Sequence, residues 1–200
     1  MSAPLRPPPP DLYSIDLETV QVEVASLYRI SKYDSGEPYF GRSAGNRFDD
    51  HSRPPSKRFG TCYLGLSLQV AITETVLHDL LPDGGNFVVP PDELESKCVV
   101  RFQGETLKLA KLTGTALKRI VGSSEISTIF PYDLPQAWAM ALRTHPAKVD
   151  GLLYISKQVN DEQAVVVFNR ARRKFKSASY ATLPDEPGFD AAIAALSIRG

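Results

Sequence analysis

Two runs in the second half of the chain limit its fold more than any other feature. Val149-Asp-Gly-Leu-Leu-Tyr-Ile-Ser156 and Gln163-Ala-Val-Val-Val-Phe-Asn169 are its most apolar stretches of strand length. The second is apolar almost without interruption, as a strand buried on both faces must be. These two are expected at the centre of a sheet, with the rest of the chain covering it. With 200 residues, 42% hydrophobic and 23% charged, the sequence has material for one sizeable core and one domain.

The stretch from Gly60 to Leu80 reads as a strand around Tyr63 to Leu66, a turn, and a helix opening at Leu68 behind an N-cap at Ser67. Leu68, Ile72, Val76 and Leu80 recur at helical spacing, so the helix is expected to run to about Leu80. Glu74 then lies between apolar neighbours, where a carboxylate is costly without a partner or a task. Upstream, Ala25-Ser-Leu-Tyr-Arg-Ile30 reads as a strand that puts Arg29 on the face of Leu27 and opposite Tyr28 and Ile30. Ser156 closes the first central strand.

Residues 32 to 57 are rich in Gly, Pro, Ser and Asp and carry Tyr33, Tyr39, Phe40 and Phe48. A loop this long in a compact domain is expected to bind something and to shape a cleft. Ser96–Phe102 and Thr106–Ala110 suggest a hairpin, and Asp133 is expected to cap a helix that His145-Pro146 stops and whose Trp138 lies in the core. Residues 1–16 form a proline-rich arm, extended and mobile unless packing orders it; 17–183 form the main domain, and 184–200 add a C-terminal helix with a small apolar face.

Net charge of +0 excludes a chain that seeks polyanions through its overall charge. A nucleic-acid or partner-binding reading therefore rests on the run Arg170 to Lys176 with Phe175 interleaved, against which stands an ordinary solvated face. Cys62 and Cys98 are expected to be reduced core thiols, and the scattered His51, His78 and His145 form no metal set. No stretch has signal-peptide or membrane-span character, so a cytoplasmic protein without membrane association is expected.

Leu27-Tyr-Arg-Ile30, Gly45-Asn-Arg-Phe48, Tyr63-Leu-Gly-Leu-Ser67 with Ala71-Ile-Thr-Glu-Thr75, and Asp150 to Ser156 with Val166-Val-Phe168 together resemble the RES domain over roughly residues 25 to 170. The resemblance names Arg29, Glu74 and Ser156 as the arginine, glutamate and serine of that family. It implies a compact α+β domain with a central mixed sheet flanked by helices, similar to the ADP-ribosyltransferase fold. It also implies NAD as a consumed substrate rather than a cofactor, and a toxin restrained by a helix-turn-helix antitoxin. Copies of the chain could then assemble through that antitoxin complex. The usual Gly-Gly-Arg-Trp-Asn pattern is Gly45-Asn-Arg-Phe-Asp49 here.

The residues suit that chemistry. Cleaving the bond between nicotinamide and ribose develops oxocarbenium character, which a fixed carboxylate such as Glu74 stabilises while it orients the nucleophile. Guanidinium groups at Arg29 and Arg47 match a pyrophosphate, and an aromatic face at Tyr63, or second at Tyr39, holds the nicotinamide ring. Ser156 can meet the nicotinamide amide, a ribose hydroxyl or Glu74. Read without the resemblance, Arg29 with Glu74 also fits a buried structural ion pair, Ser156 an ordinary strand-end hydroxyl and Arg47 a solvated loop residue. Water, phosphate or a protein side chain remains open as the acceptor, so glycohydrolase, phosphorylase and ADP-ribosyltransferase all stand.

Overall fold

Eight strands form one sheet in the computed structural model, which describes residues 4–52 and 54–200. In chain order the first half contains β1 (Thr19–Val22), β2 (Tyr28–Ser31), β3 (Thr61–Gly65), α1 (Leu68–Thr75), β4 (Phe87–Val88) and α2 (Pro91–Glu95). The second half contains β5 (Cys98–Gly104), β6 (Leu107–Leu112), α3 (Gly114–Ile120), α4 (Asp133–Thr144), β7 (Gly151–Ile155), β8 (Gln163–Phe168), β9 (Phe175–Thr182), α5 (Phe189–Ala195) and β10 (Ile198–Arg199). The large sheet runs β1-β6-β7-β8-β3-β2-β5-β9 and is antiparallel except where β6 meets β7. β4 and β10 form a separate parallel pair. The architecture is the expected α+β domain, with the two apolar runs as inner strands β7 and β8.

The expected hairpin between β5 and β6 does not form. β5 pairs with β2 and β9, and β6 pairs with β1 and β7, although only Glu105 and Thr106 separate them. The sheet curls on itself, so that its two wings face each other across one apolar cluster. That cluster holds Leu107 and Leu109 of β6, Val165 and Val167 of β8, Cys62 and Leu64 of β3, and Val100 and Phe102 of β5. Alternation on β5 and β6 reports burial of one face, which a hairpin and opposite walls of a curled sheet satisfy equally.

The convex face carries the helices in two groups. α4 buries Trp138, Ala139 and Leu142 against β6, β7 and β8 in one core. The proline-rich arm belongs to this core: Leu5 and Leu12 are buried in it, and Trp138 Nε1 donates to the Arg6 carbonyl at 2.8 Å. α5 packs on α1 in the other, bringing Phe189, Ile193 and Leu196 against Leu68 and Ile72. The C-terminal helix thus covers the helix that carries Glu74.

Two helix boundaries differ from expectation. α1 ends at Thr75, not Leu80. Thr73, Thr75 and Val76 are β-branched, and Leu80 is 43% exposed, so continuing the helix would bury nothing to offset its poor propensity. Asp133 is the first residue of α4 rather than its cap, which is Tyr132. No helix among the described residues is long and apolar enough to cross a membrane.

Candidate functional site

The strands β2 and β3 are neighbours through a single residue pair, Tyr28 with Gly65, and then part. Beside that split lies a cleft of about 550 Å³, within the range of small-molecule sites. α1 straddles it, with Val70 in one helical core and Leu68, Ala71 and Ile72 in the other. Ser67 caps the helix by accepting from Val70 N at 3.2 Å and is itself held by Glu162. This fixes the first turn of α1, whose last turn presents Glu74 to the cleft.

Glu74 is half-buried, and Ser156 Oγ donates to its Oε1 at 2.6 Å. Ser156 is 1% exposed and its oxygen also accepts from Gln158 N and Val159 N, at 3.1 and 3.2 Å, in the turn after β7. Three hydrogen bonds therefore fix the hydroxyl that orients the carboxylate. Among the described residues no donor meets Glu74 Oε2. Tyr154, two residues before Ser156 on the same face of β7, lines the cleft; burial and then the Glu74 charge push its phenol far above the ordinary range.

Arg47 reaches the cleft from the long loop. Its Nη1 donates to the Ile129 carbonyl at 2.7 Å and its guanidinium lies 4.7 Å from the centre of the Tyr132 ring. Among the described residues it has no carboxylate partner, so its charge is available to an anion. The loop is held by Asp49, which accepts from Ser43 Oγ, Asn46 N and Nδ2, Thr61 Oγ1 and Tyr63 Oη at 2.6 to 3.1 Å. Gln136 of α4 donates to the Ala44 and Asn46 carbonyls, both at 3.0 Å. Tyr63 lines the cleft, while its hydroxyl accepts from Phe48 N at 2.9 Å. Burial, reinforced by Asp49, keeps that phenol protonated.

Arg29 is not the partner of Glu74. It projects from the same side of β2 as Leu27, beside Val100 of β5, and its Nη1 donates at 3.0 Å to the Tyr63 carbonyl, which the split leaves without a strand partner. Its Nε lies 2.8 Å from Glu37 Oε2 as an ion pair. Burial works against its charge, but Cys62 and Glu37 outweigh burial and raise its pKa overall. Arg29 thus borders the cleft while bridging the strands that form it.

Of the sequence candidates, the cleft gathers Arg29, Arg47, Tyr63 and Glu74, with Ser156 bound to Glu74. Tyr39 stays outside: it is 63% exposed and absent from the lining. Tyr28, Tyr132, His78 and Lys157 also line the cleft. Strand alternation places Tyr154 with Ser156 and could have flagged it; Tyr132 and His78 arrive through turns that leave no local signal.

A family description, "RES domain", matches residues 26–187. The chain belongs to the RES-domain family. The match leaves the arm, β1, α5 and β10 outside it. The fold is similar to a chain of the M. tuberculosis MbcT–MbcA toxin–antitoxin complex, with a TM-score of 0.55, 15% sequence identity, and coverage of 83% of this chain and 86% of that one. No curated protein matches the sequence. Within this RES domain the basic run from Arg170 is largely engaged: Arg170 donates to the Val149 carbonyl, Lys174 pairs with Asp150 at 2.7 Å and Lys176 with Glu105 at 2.5 Å.

Proposed function

We propose that this RES domain is the toxin of a toxin–antitoxin pair and cleaves the nicotinamide–ribose bond of NAD. The observation that carries the reading is the Glu74 carboxylate, held by Ser156 through one oxygen and open at the other, in a cleft where Arg47 has no carboxylate partner. The pyrophosphate would lie against Arg47, and the nicotinamide ring against the aromatic lining that includes Tyr63 and Tyr28. Arg101 lies 3.7 Å from the centre of the Tyr28 ring and braces it.

As the glycosidic bond breaks, its electron pair leaves with neutral nicotinamide and positive charge builds on the ribose. Glu74 stabilises that charge and orients the acceptor through its open oxygen. Water gives ADP-ribose and releases a proton; phosphate gives the ribosyl phosphate. Ser156 acts as a positioning residue, since its hydroxyl already donates to Glu74. A helix-turn-helix antitoxin is the proposed partner, supported by the toxin–antitoxin complex to which the fold is similar.

The test is incubation of the purified chain with NAD, with and without phosphate. Nicotinamide release is expected in at least one condition, and the phosphate dependence identifies the acceptor. NAD labelled in its adenylate half distinguishes protein ADP-ribosylation, which leaves a discrete labelled band from cell extract. No release and no labelled band would overturn the reading.

A further inference from the structure

A second cavity, of about 610 Å³, shares no lining residue with the NAD cleft. Phe59 forms an aromatic floor, fixed at 5.3 Å and edge-on against Phe168 of β8. Met140 and Ala141 of α4 add an apolar wall, and Ser52 and Thr144 a polar edge. Arg143 lies over this floor, its guanidinium 4.6 Å from the centre of the Phe59 ring.

Among the described residues Arg143 is met by the Phe59 ring and, at longer range, by the Asp50 charge. Its Nε is buried with no hydrogen-bond partner, and among the described residues the guanidinium makes neither a hydrogen bond nor an ion pair. The neighbouring acid is Asp50, whose oxygens are taken by backbone donors: Oδ1 by Ser52 N at 2.7 Å and Oδ2 by Phe59 N at 2.9 Å. Those bonds outweigh burial and hold the Asp50 carboxyl below its usual range. Burial depresses Arg143 despite Asp50, and Arg170 is depressed by burial and by the Arg143 charge. The local positive charge is under-neutralised, and a buried guanidinium Nε–H without an acceptor is costly.

We infer that this cavity binds a small organic anion with a flat apolar body and a carboxylate or phosphate head, the head on Arg143 and the body between Phe59 and α4. A guanidinium fork suits either head through paired charge-assisted bonds, and the cation–π contact with Phe59 uses none of its N–H groups. The site does not depend on NAD chemistry. It does share its supports with the cleft: Asp50 follows the loop anchor Asp49, and α4 also carries Gln136.

The test is titration of the isotope-labelled full chain, followed by amide NMR, with phenyl phosphate, benzoate, inorganic phosphate and benzyl alcohol. Saturable shifts at Ser52, Ala141 and Thr144 are expected with phenyl phosphate or benzoate, and the stronger of the two identifies the head. Inorganic phosphate and benzyl alcohol, each carrying half of the recognition, should bind about tenfold more weakly or not at all. Arg143→Gln should weaken binding at least about tenfold. If that variant loses its native spectrum, Ala141→Trp, which fills the cavity from its wall, should abolish binding. Shifts confined to Glu74 and Lys157, no saturable shift, or unchanged binding in a folded variant would overturn the inference.

Discussion

Two polar pairs flank the split between β2 and β3, and they differ in what their partners leave free. Arg29 pairs in charge with Glu37 and donates through Nη1 to the Tyr63 carbonyl, so its charge is met within the protein. Glu74 is held through one oxygen by Ser156, and its other oxygen faces the cleft without a donor among the described residues. One pair ties strands that have parted; the other keeps a carboxylate in place at the cleft. The first is therefore expected to govern stability, the second turnover.

Arg29→Ala should cost the most stability. It takes the cation from the Glu37 carboxylate, which is 5% exposed and keeps the Tyr39 N–H as a donor at 2.6 Å, and removes the bridge to the Tyr63 carbonyl. Losing one member of a buried pair costs about 3–5 kcal/mol; because the Arg29 side chain is 23% exposed, about 2–4 kcal/mol is expected in urea unfolding. A loss below about 1 kcal/mol would remove the bridging role.

Alkaline pH probes the surroundings of Arg29 through Cys62 of β3. Burial pushes its thiol from 9.0 up to about 11. The folded state holds this proton more tightly than the unfolded state, so the stabilisation is complete below about pH 9 and is lost as pH rises to about 11. The loss should be roughly 2–3 kcal/mol at most. Melting temperatures across that window should fall less steeply in Cys62→Ala; an identical slope contradicts the account.

Ser156→Ala tests the other pair. It removes the donor to Glu74 and the acceptor for Gln158 N and Val159 N. Turnover should fall about ten- to a hundredfold, with a smaller change in KM, since a loosened carboxylate still sits in the cleft. A change in KM alone would make Ser156 a substrate contact instead. Tyr39→Ala is the smallest expected effect: the exposed ring lies outside the lining of the Glu74 cleft, so NAD turnover should stay within about twofold. A tenfold loss would return Tyr39 to the site.

Much of this contrast was legible before the fold was known. Alternation from Leu27 to Ile30 separated Arg29 from Tyr28, the Ser67 cap placed Glu74 on α1, and the apolar runs located β7 and β8. What stayed hidden depends on contacts distant in sequence. The hairpin expected between β5 and β6 failed because alternation reports which face is buried, not which strand lies alongside. Arg29 was a candidate partner for Glu74 because a lone basic residue among apolar ones signals a partner but not its identity; Glu37 arrives through the loop. The Asp49 anchor gathers donors from two segments, and neither shows a pattern. The arm looked mobile by composition, yet Leu5 and Leu12 are buried.

The central claim is that Glu74 performs chemistry and does not hold the fold. The most direct measurement is nicotinamide release from NAD by the wild-type chain and by Glu74→Gln, with melting temperatures recorded on the same samples. Glutamine can still accept from Ser156 but cannot stabilise positive charge. The account predicts release in the wild type, a loss of at least about a hundredfold in the variant, and melting temperatures within a few degrees. Turnover in Glu74→Gln equal to that of the wild type, in a folded sample, would contradict it.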